Sequence, residues 1–154
     1  DHLTTCFPEA RIKQFMEMRG ADGGPWRRIC ALPAFWVGLM YDTSTLYAAW
    51  DLCKNWNLEI REEMRIKASV DGLQATIGDI KMIDLVSEVL KLSQAGLTER
   101  ARSGAGGIIP NEAHFLNALQ ESVDTGMTPA DELLEKYHGE WDGDIKQIYS
   151  DFSY

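Results

Sequence analysis

Between Arg11 and Arg19 the residues alternate one by one in chemical character, and this constrains the fold more than any other stretch. Arg11, Lys13, Phe15, Glu17 and Arg19 fall on one side of an extended backbone, while Ile12, Gln14, Met16 and Met18 fall on the other. A strand sends successive side chains to opposite faces, so the segment 10–20 predicts a β-strand with one charged and one apolar face. Wound as a helix, the same charges would scatter around the cylinder. A lone strand cannot make a sheet, and Ile12, Met16 and Met18 therefore need neighbours. The expectation is an opening segment loosely placed on a helical cluster, or self-association that pairs exposed strands.

After the break at Gly20–Gly24 the chain reads as helices. Pro25 suits a first helical turn, Trp26, Ile29, Cys30 and Pro33 share one side, and Pro33 is expected to end or kink that helix. Asp42 or Thr43 caps the next helix, with the stripe Leu46, Ala49, Trp50 and Cys53. A further helix covers Leu58 to Lys67. Ile80, Ile83, Val86, Val89 and Leu90 mark a longer one that stops near Gly96. Ser103 to Pro110 is a glycine-rich connector without the Gly-Lys-Ser/Thr of a phosphate loop. Asn111 then caps a helix carrying Phe115, Ala118, Leu119 and Val123, closed by Gly126. Thr128-Pro-Ala-Asp131 is a capping box with Pro in the first turn, opening a helix whose Leu133, Leu134 and Tyr137 face inward until Gly139. The fold class is mainly α with an N-terminal β-strand, and residues 1–154 form one unit.

The 154 residues are 45% hydrophobic, and a chain of this length is expected to bury one core and not a second. Fifteen basic residues against 24 acidic ones give a net charge of −9, which argues against nucleic acid as a partner. The acidity lies beyond residue 40; the first forty residues are slightly basic. The uncharged run Ile29–Tyr41 is broken by Pro33 and is shorter than the ~18 residues of a membrane span. Cys6, Cys30 and Cys53 are spaced too widely for a redox pair or a zinc site, which predicts reduced thiols in a cytoplasmic protein. His2, His114 and His138 are scattered, and no nucleophile elbow of the Gly-x-Ser-x-Gly kind occurs.

Chemistry concentrates on the charged face of the strand. Glu17 is a hard oxygen ligand suited to Mg²⁺, and Arg19 beside it offers a planar fork for phosphate, with Lys13 and Arg11 further along. The plainer alternative is an outer face of weak alternating ion pairs.

The run from Pro8 through Phe15-Met-Glu-Met-Arg-Gly-Ala-Asp-Gly-Gly-Pro-Trp-Arg-Arg28 to Asp42 closely resembles glutamate–cysteine ligase of the plant and proteobacterial type. Phe115-Leu-Asn-Ala-Leu119 and Thr125-Gly-Met-Thr-Pro-Ala-Asp131 through Trp141 resemble the C-terminal part of the same family. The resemblance implies an enzyme that uses ATP and Mg²⁺ to join L-glutamate to L-cysteine, giving γ-glutamylcysteine, the first step toward glutathione. It implies a glutamine-synthetase-like α+β domain, a curved antiparallel sheet with helices outside, of which this chain is the C-terminal portion. Carried onto Met-Glu-Met-Arg, it makes Glu17 a metal ligand and Arg19 a catalytic clamp on ATP phosphate; Lys13 and Arg11, lying on the same face, are further candidates for nucleotide or substrate contact. The chain opens on Asp1, so the missing N-terminal part of the enzyme is an expected partner and the 154-residue chain is expected to be inactive alone. The other class left open is a non-catalytic helical interaction module derived from the ligase C-terminus, which would not bind Mg·ATP.

Overall fold

A computed structural model describes residues 8–103 and 111–152. Cys6, His2 and most of the glycine-rich connector lie outside them. The described residues form two short strands, β1 (Ala10–Ile12) and β2 (Met16–Met18), and then α1 (Trp26–Met40), α2 (Thr43–Cys53) and α3 (Leu58–Asp71). A small hairpin, β3 (Thr76–Ile77) and β4 (Ile80–Lys81), leads into the long α4 (Met82–Ser103). A 3-10 turn, Glu112–Leu116, precedes α5 (Asn117–Thr125), followed by α6 (Pro129–His138) and α7 (Ile148–Asp151). The chain is thus mostly helical, as the periodicities predict. No helix among the described residues is long and apolar enough to cross a membrane.

The predicted single strand is corrected to a hairpin. β1 and β2 pair antiparallel, with Ala10 opposite Met18, Arg11 opposite Glu17 and Ile12 opposite Met16. The need for a pairing partner is met within the segment itself, by a reversal over Lys13, Gln14 and Phe15. None of those residues is the Gly, Pro or Asn that usually announces a turn, so local chemistry did not signal it.

The body is built on the crossing of α1 and α4. Ala31, Ala34, Gly38 and Leu39 are the buried residues of α1, and Ala34 joins Leu90, Leu97 and Leu116 in the main core, flanked by Phe35, Val37, Ala113, Leu119 and Val123. The two helices meet backbone to backbone. A methyl group added at Gly38 would lie 2.2 Å from the Ser93 carbonyl oxygen, and one at Gly96 would lie 1.9 Å from the Gly38 oxygen. Two buried hydroxyls bond to the α1 backbone here: Ser93 of α4 donates to the Phe35 carbonyl across the crossing and Thr45 of α2 to the Gly38 carbonyl, each at 2.9 Å. The expectation of one core is corrected by a second, smaller cluster of Ala75, Ile77 and Met82 with Ile60, Met64 and Ala68 of α3 and Leu85 and Val86 of α4.

Close approach explains where the helix boundaries differ from expectation. Gly96 does not stop α4, which continues to Ser103; it is the residue that lets α1 come near. Pro33 neither ends nor interrupts α1, which runs through it. A helix-interior proline costs about 3 kcal/mol, and here the packed faces on both sides of it, Ala31 on one and Ala34 to Leu39 on the other, hold the helix together. The buried stripes also shift. Trp26 and Ile29 of α1, Leu46 and Trp50 of α2, and Leu134 of α6 are exposed, and Thr45 is the buried residue of α2.

The helix caps follow the sequence closely. Asp42, Asn57 and Asn111 each accept a hydrogen bond from a backbone N–H of the first turn they precede. Gly126 closes α5 in the left-handed conformation, at φ 69°. The Thr128 hydroxyl accepts from the Asp131 N–H at 3.2 Å, and the Asp131 carboxylate accepts from the Thr128 N–H at 2.7 Å. Thr128→Ala is therefore expected to lose about 1 kcal/mol of stability, read as a lowered midpoint in chemical denaturation.

Hydrogen bonds from the Thr128 side chain, and then from its backbone, hold the Asp131 carboxyl below its ordinary value of 3.8. A depressed carboxyl stabilises the fold above the unfolded pKa and loses that contribution as pH falls through the folded one. Asp131→Asn should accordingly flatten part of the acid limb of a stability profile below pH 3.8. An unchanged acid limb would remove Asp131 from it.

Candidate functional site

The hairpin brings three of the four residues expected on the charged face into direct contact. Cross-strand neighbours project to the same side of a sheet, so pairing Arg11 with Glu17 puts guanidinium beside carboxylate. Arg11 donates through Nε at 2.8 Å and approaches through Nη2 at 2.6 Å, and both nitrogens meet the same atom, Glu17 Oε2. Lys13, held at the reversal where its N–H donates to the Phe15 carbonyl at 2.8 Å, reaches that same oxygen at 3.8 Å. The Lys13 ammonium also sits over the Phe15 ring, 5.7 Å from its centre.

Arg19 follows β2 and extends the ladder, its N–H donating to the Glu9 carbonyl at 2.7 Å. It is half-buried, and its charge is felt at Glu17. The Arg11 hydrogen bond is the largest influence holding the Glu17 carboxyl below the usual carboxylate range, followed among the lowering influences by the charges of Arg11, Lys13 and Arg19. Glu17 is therefore ionised at neutral pH, the form a metal requires. Period-two reading did not single out Glu9, although it lies on the same alternation as Arg11 and Lys13; the hairpin sets its backbone against that of Arg19.

Behind this face lies a cavity of about 490 Å³. Ala10 and Met18, a cross-strand pair on the opposite side of the hairpin from Arg11 and Glu17, line it together with Leu32, Phe35 and Trp36 of α1 and Leu119 of α5. The loop 20–24 joins the hairpin to the body, and Arg28 tucks its stem under Gly24, with Cβ 3.3 Å from where a methyl there would stand. Ion pairs from Arg27 to Glu121 and from Arg28 to Glu132 fasten the start of α1 to α5 and α6.

Among the described residues no three His, Cys, Asp or Glu side chains converge as a metal-binding group. Glu17 stands as one carboxylate among three cations, which is unsuited to holding a bare divalent ion. It does suit Mg²⁺ carried on phosphates, because that ion takes one or two protein carboxylates and completes its octahedron with phosphate oxygens and water. The surrounding guanidinium and ammonium groups are the donors that polyphosphate oxygens prefer. The residues present fit the metal in that form.

Comparison with known proteins places the chain in a family. The family model described as glutamate-cysteine ligase family 2 matches residues 1–151. All 154 residues align with the chloroplastic glutamate–cysteine ligase of Medicago truncatula at 47% identity, covering 29% of that protein. The chloroplastic ligases of Arabidopsis thaliana and Brassica juncea align over the same length at 48% and 47% identity, with 28% of each covered. The chain thus spans less than a third of the length of these relatives. The cytoplasmic placement read from the cysteines is overturned by them, since they are chloroplastic proteins. A cysteine spacing that suggests no disulfide framework does not distinguish one reducing compartment from another.

Proposed function

The chain belongs to glutamate–cysteine ligase family 2, and from that membership we propose that it supplies the metal- and phosphate-binding hairpin of a plastid ligase joining L-glutamate to L-cysteine. The observation that supports this reading is the convergence of Arg11, Lys13 and Glu17, with Arg19 close by, on one face of the hairpin. In the proposed reaction an oxygen of the glutamate side-chain carboxylate attacks the terminal phosphorus of ATP, releasing ADP and forming γ-glutamyl phosphate. The cysteine amine then attacks the acyl carbon, inorganic phosphate leaves, and the nitrogen loses a proton. Both nucleophiles belong to the substrates, which accounts for the lack of a Ser or Cys catalytic constellation in the sequence.

The work left to the protein is electrostatic. Glu17 contributes one carboxylate to Mg²⁺. Arg19 neutralises charge on the transferring phosphoryl group and holds it in line. Lys13 adds a mobile point charge at the tip of the hairpin for a phosphate or a substrate carboxylate. When bound, Mg²⁺ acts as a Lewis acid that spreads the negative charge of the phosphoryl oxygens.

The test is product analysis with the complete polypeptide, Mg·ATP, L-glutamate and L-cysteine. One ADP and one phosphate should appear per γ-glutamylcysteine, while the 154-residue chain alone should make none. Failure to bind Mg·ATP, with no product, would leave the helical interaction module in its place.

A further inference from the structure

On the reading of Glu17 as a metal ligand, we propose that Arg11 is its positioning residue, fixing one carboxylate oxygen so that the other is presented to the metal. Three observations carry this. Arg11 is the cross-strand partner of Glu17, so the grip is built into the register. Its Nε and Nη2 converge on Oε2 at 2.8 and 2.6 Å, instead of spreading over both oxygens as in a fork-to-fork pair. The ammonium of Lys13 approaches Oε2 as well. Among the described residues, the ion pairs to Glu17 thus gather on one oxygen and leave Oε1 for a cation.

The grip matters because little else orders this side chain. Glu17 sits on a three-residue strand and its side chain is about one-third exposed. A carboxylate on such a strand would otherwise sample several rotamers, and a ligand free to rotate loses affinity when it is immobilised. Hydrogen-bond partners of metal-ligating groups orient them, and their removal typically lowers metal affinity about 10–100-fold. Lysine cannot reproduce a two-nitrogen grip.

The experiment measures Mn²⁺ binding to the complete polypeptide by the loss of the free-ion electron paramagnetic resonance signal. A non-hydrolysable ATP analogue is present throughout, and wild type is compared with Arg11→Ala, Arg11→Lys, Arg11→Gln and Glu17→Gln. Arg11→Ala should weaken Mn²⁺ binding by about 10–100-fold, with Arg11→Lys and Arg11→Gln recovering only part of the loss. In turnover, the KM for metal should rise by a larger factor than kcat at saturating metal falls. A variant that failed to fold would show it in circular dichroism, and the remaining two substitutions would still decide the question.

Unchanged Mn²⁺ affinity in folded Arg11 variants would overturn the proposal. Tighter binding would also overturn it, marking Arg11 as a competitor of the metal. Full recovery with lysine would reduce its role to charge alone. Weaker binding of the analogue in the absence of metal would make Arg11 a phosphate contact instead. The premise is tested separately: if Glu17→Gln leaves Mn²⁺ binding intact, Glu17 is not a ligand, whatever Arg11 does.

Discussion

Glu17→Gln in the complete ligase is expected to lower turnover by about 10²–10³-fold, the range seen when one group that stabilises transition-state charge is removed. Glutamine has nearly the same shape and can still accept a hydrogen bond from Arg11, so the hairpin keeps its register. What disappears is the negative charge. Arg11, Lys13 and Arg19 then surround a neutral amide, and on the proposed function the face attracts phosphate without organising a metal. The folded state should hardly notice, because the Glu17 side chain is about one-third exposed and its ion pairs lie at the surface. Two measurements separate these effects. Turnover at saturating metal should fall steeply, while the midpoint of thermal unfolding stays close to wild type. Wild-type turnover in Glu17→Gln would remove this residue from the metal site. Glu17→Asp is the informative companion: it keeps the charge but withdraws it by one methylene, so an intermediate rate is expected.

That face was legible in the sequence although its topology was not. Reading residues 11–19 as one strand places Arg11 and Glu17 on a common side because both are odd-numbered. The hairpin places them together for a different reason, since register partners face the same way and Arg11 pairs with Glu17. An antiparallel fold-back about Gln14 preserves the odd and even sets, so a mistaken topology still yields the correct face. The reversal itself left no signal, because Lys13, Gln14 and Phe15 carry no turn chemistry. The opposite holds for Thr128 and Asp131, whose capping box was fully readable because every partner lies within one helical turn. Long-range packing was where local reading failed. Leu46 and Trp50 keep helical spacing, yet α2 turns Thr45 inward to reach the Gly38 carbonyl, leaving those two residues of the apolar stripe outside. No periodicity within α2 can report that its buried partner is the backbone of α1.

Gly96→Ala is the substitution expected to damage the fold most, and the sign of its effect discriminates between two physical accounts. Helix propensity alone favours alanine over glycine in a helix interior by about 1 kcal/mol, so a Gly96 tolerated merely by accident would give a more stable protein. The structure predicts the reverse. The added methyl would stand 1.9 Å from the Gly38 carbonyl oxygen, 2.8 Å from Thr45 Oγ1 and 2.9 Å from the Gly38 carbonyl carbon. Two of those three atoms are backbone and cannot swing aside as a side chain would. Relief requires α1 and α4 to separate, which strains the Ser93 bond to Phe35, and it requires Thr45 of α2 to give way, which strains that residue's bond to Gly38, both at 2.9 Å. Overpacking costs about 1–3 kcal/mol and occasionally more. A buried carbonyl or hydroxyl left without its partner costs a further 1–3 kcal/mol or so. The net expectation after the propensity gain is a loss of about 3 kcal/mol, read as a lower denaturation midpoint or, if stability falls short, as insoluble protein. Gly23→Ala is the control, because a methyl there meets nothing within 4 Å, and it should stay within about 0.5 kcal/mol of wild type. If Gly96→Ala instead raised the midpoint, the backbone contact between α1 and α4 would not exist in the folded protein.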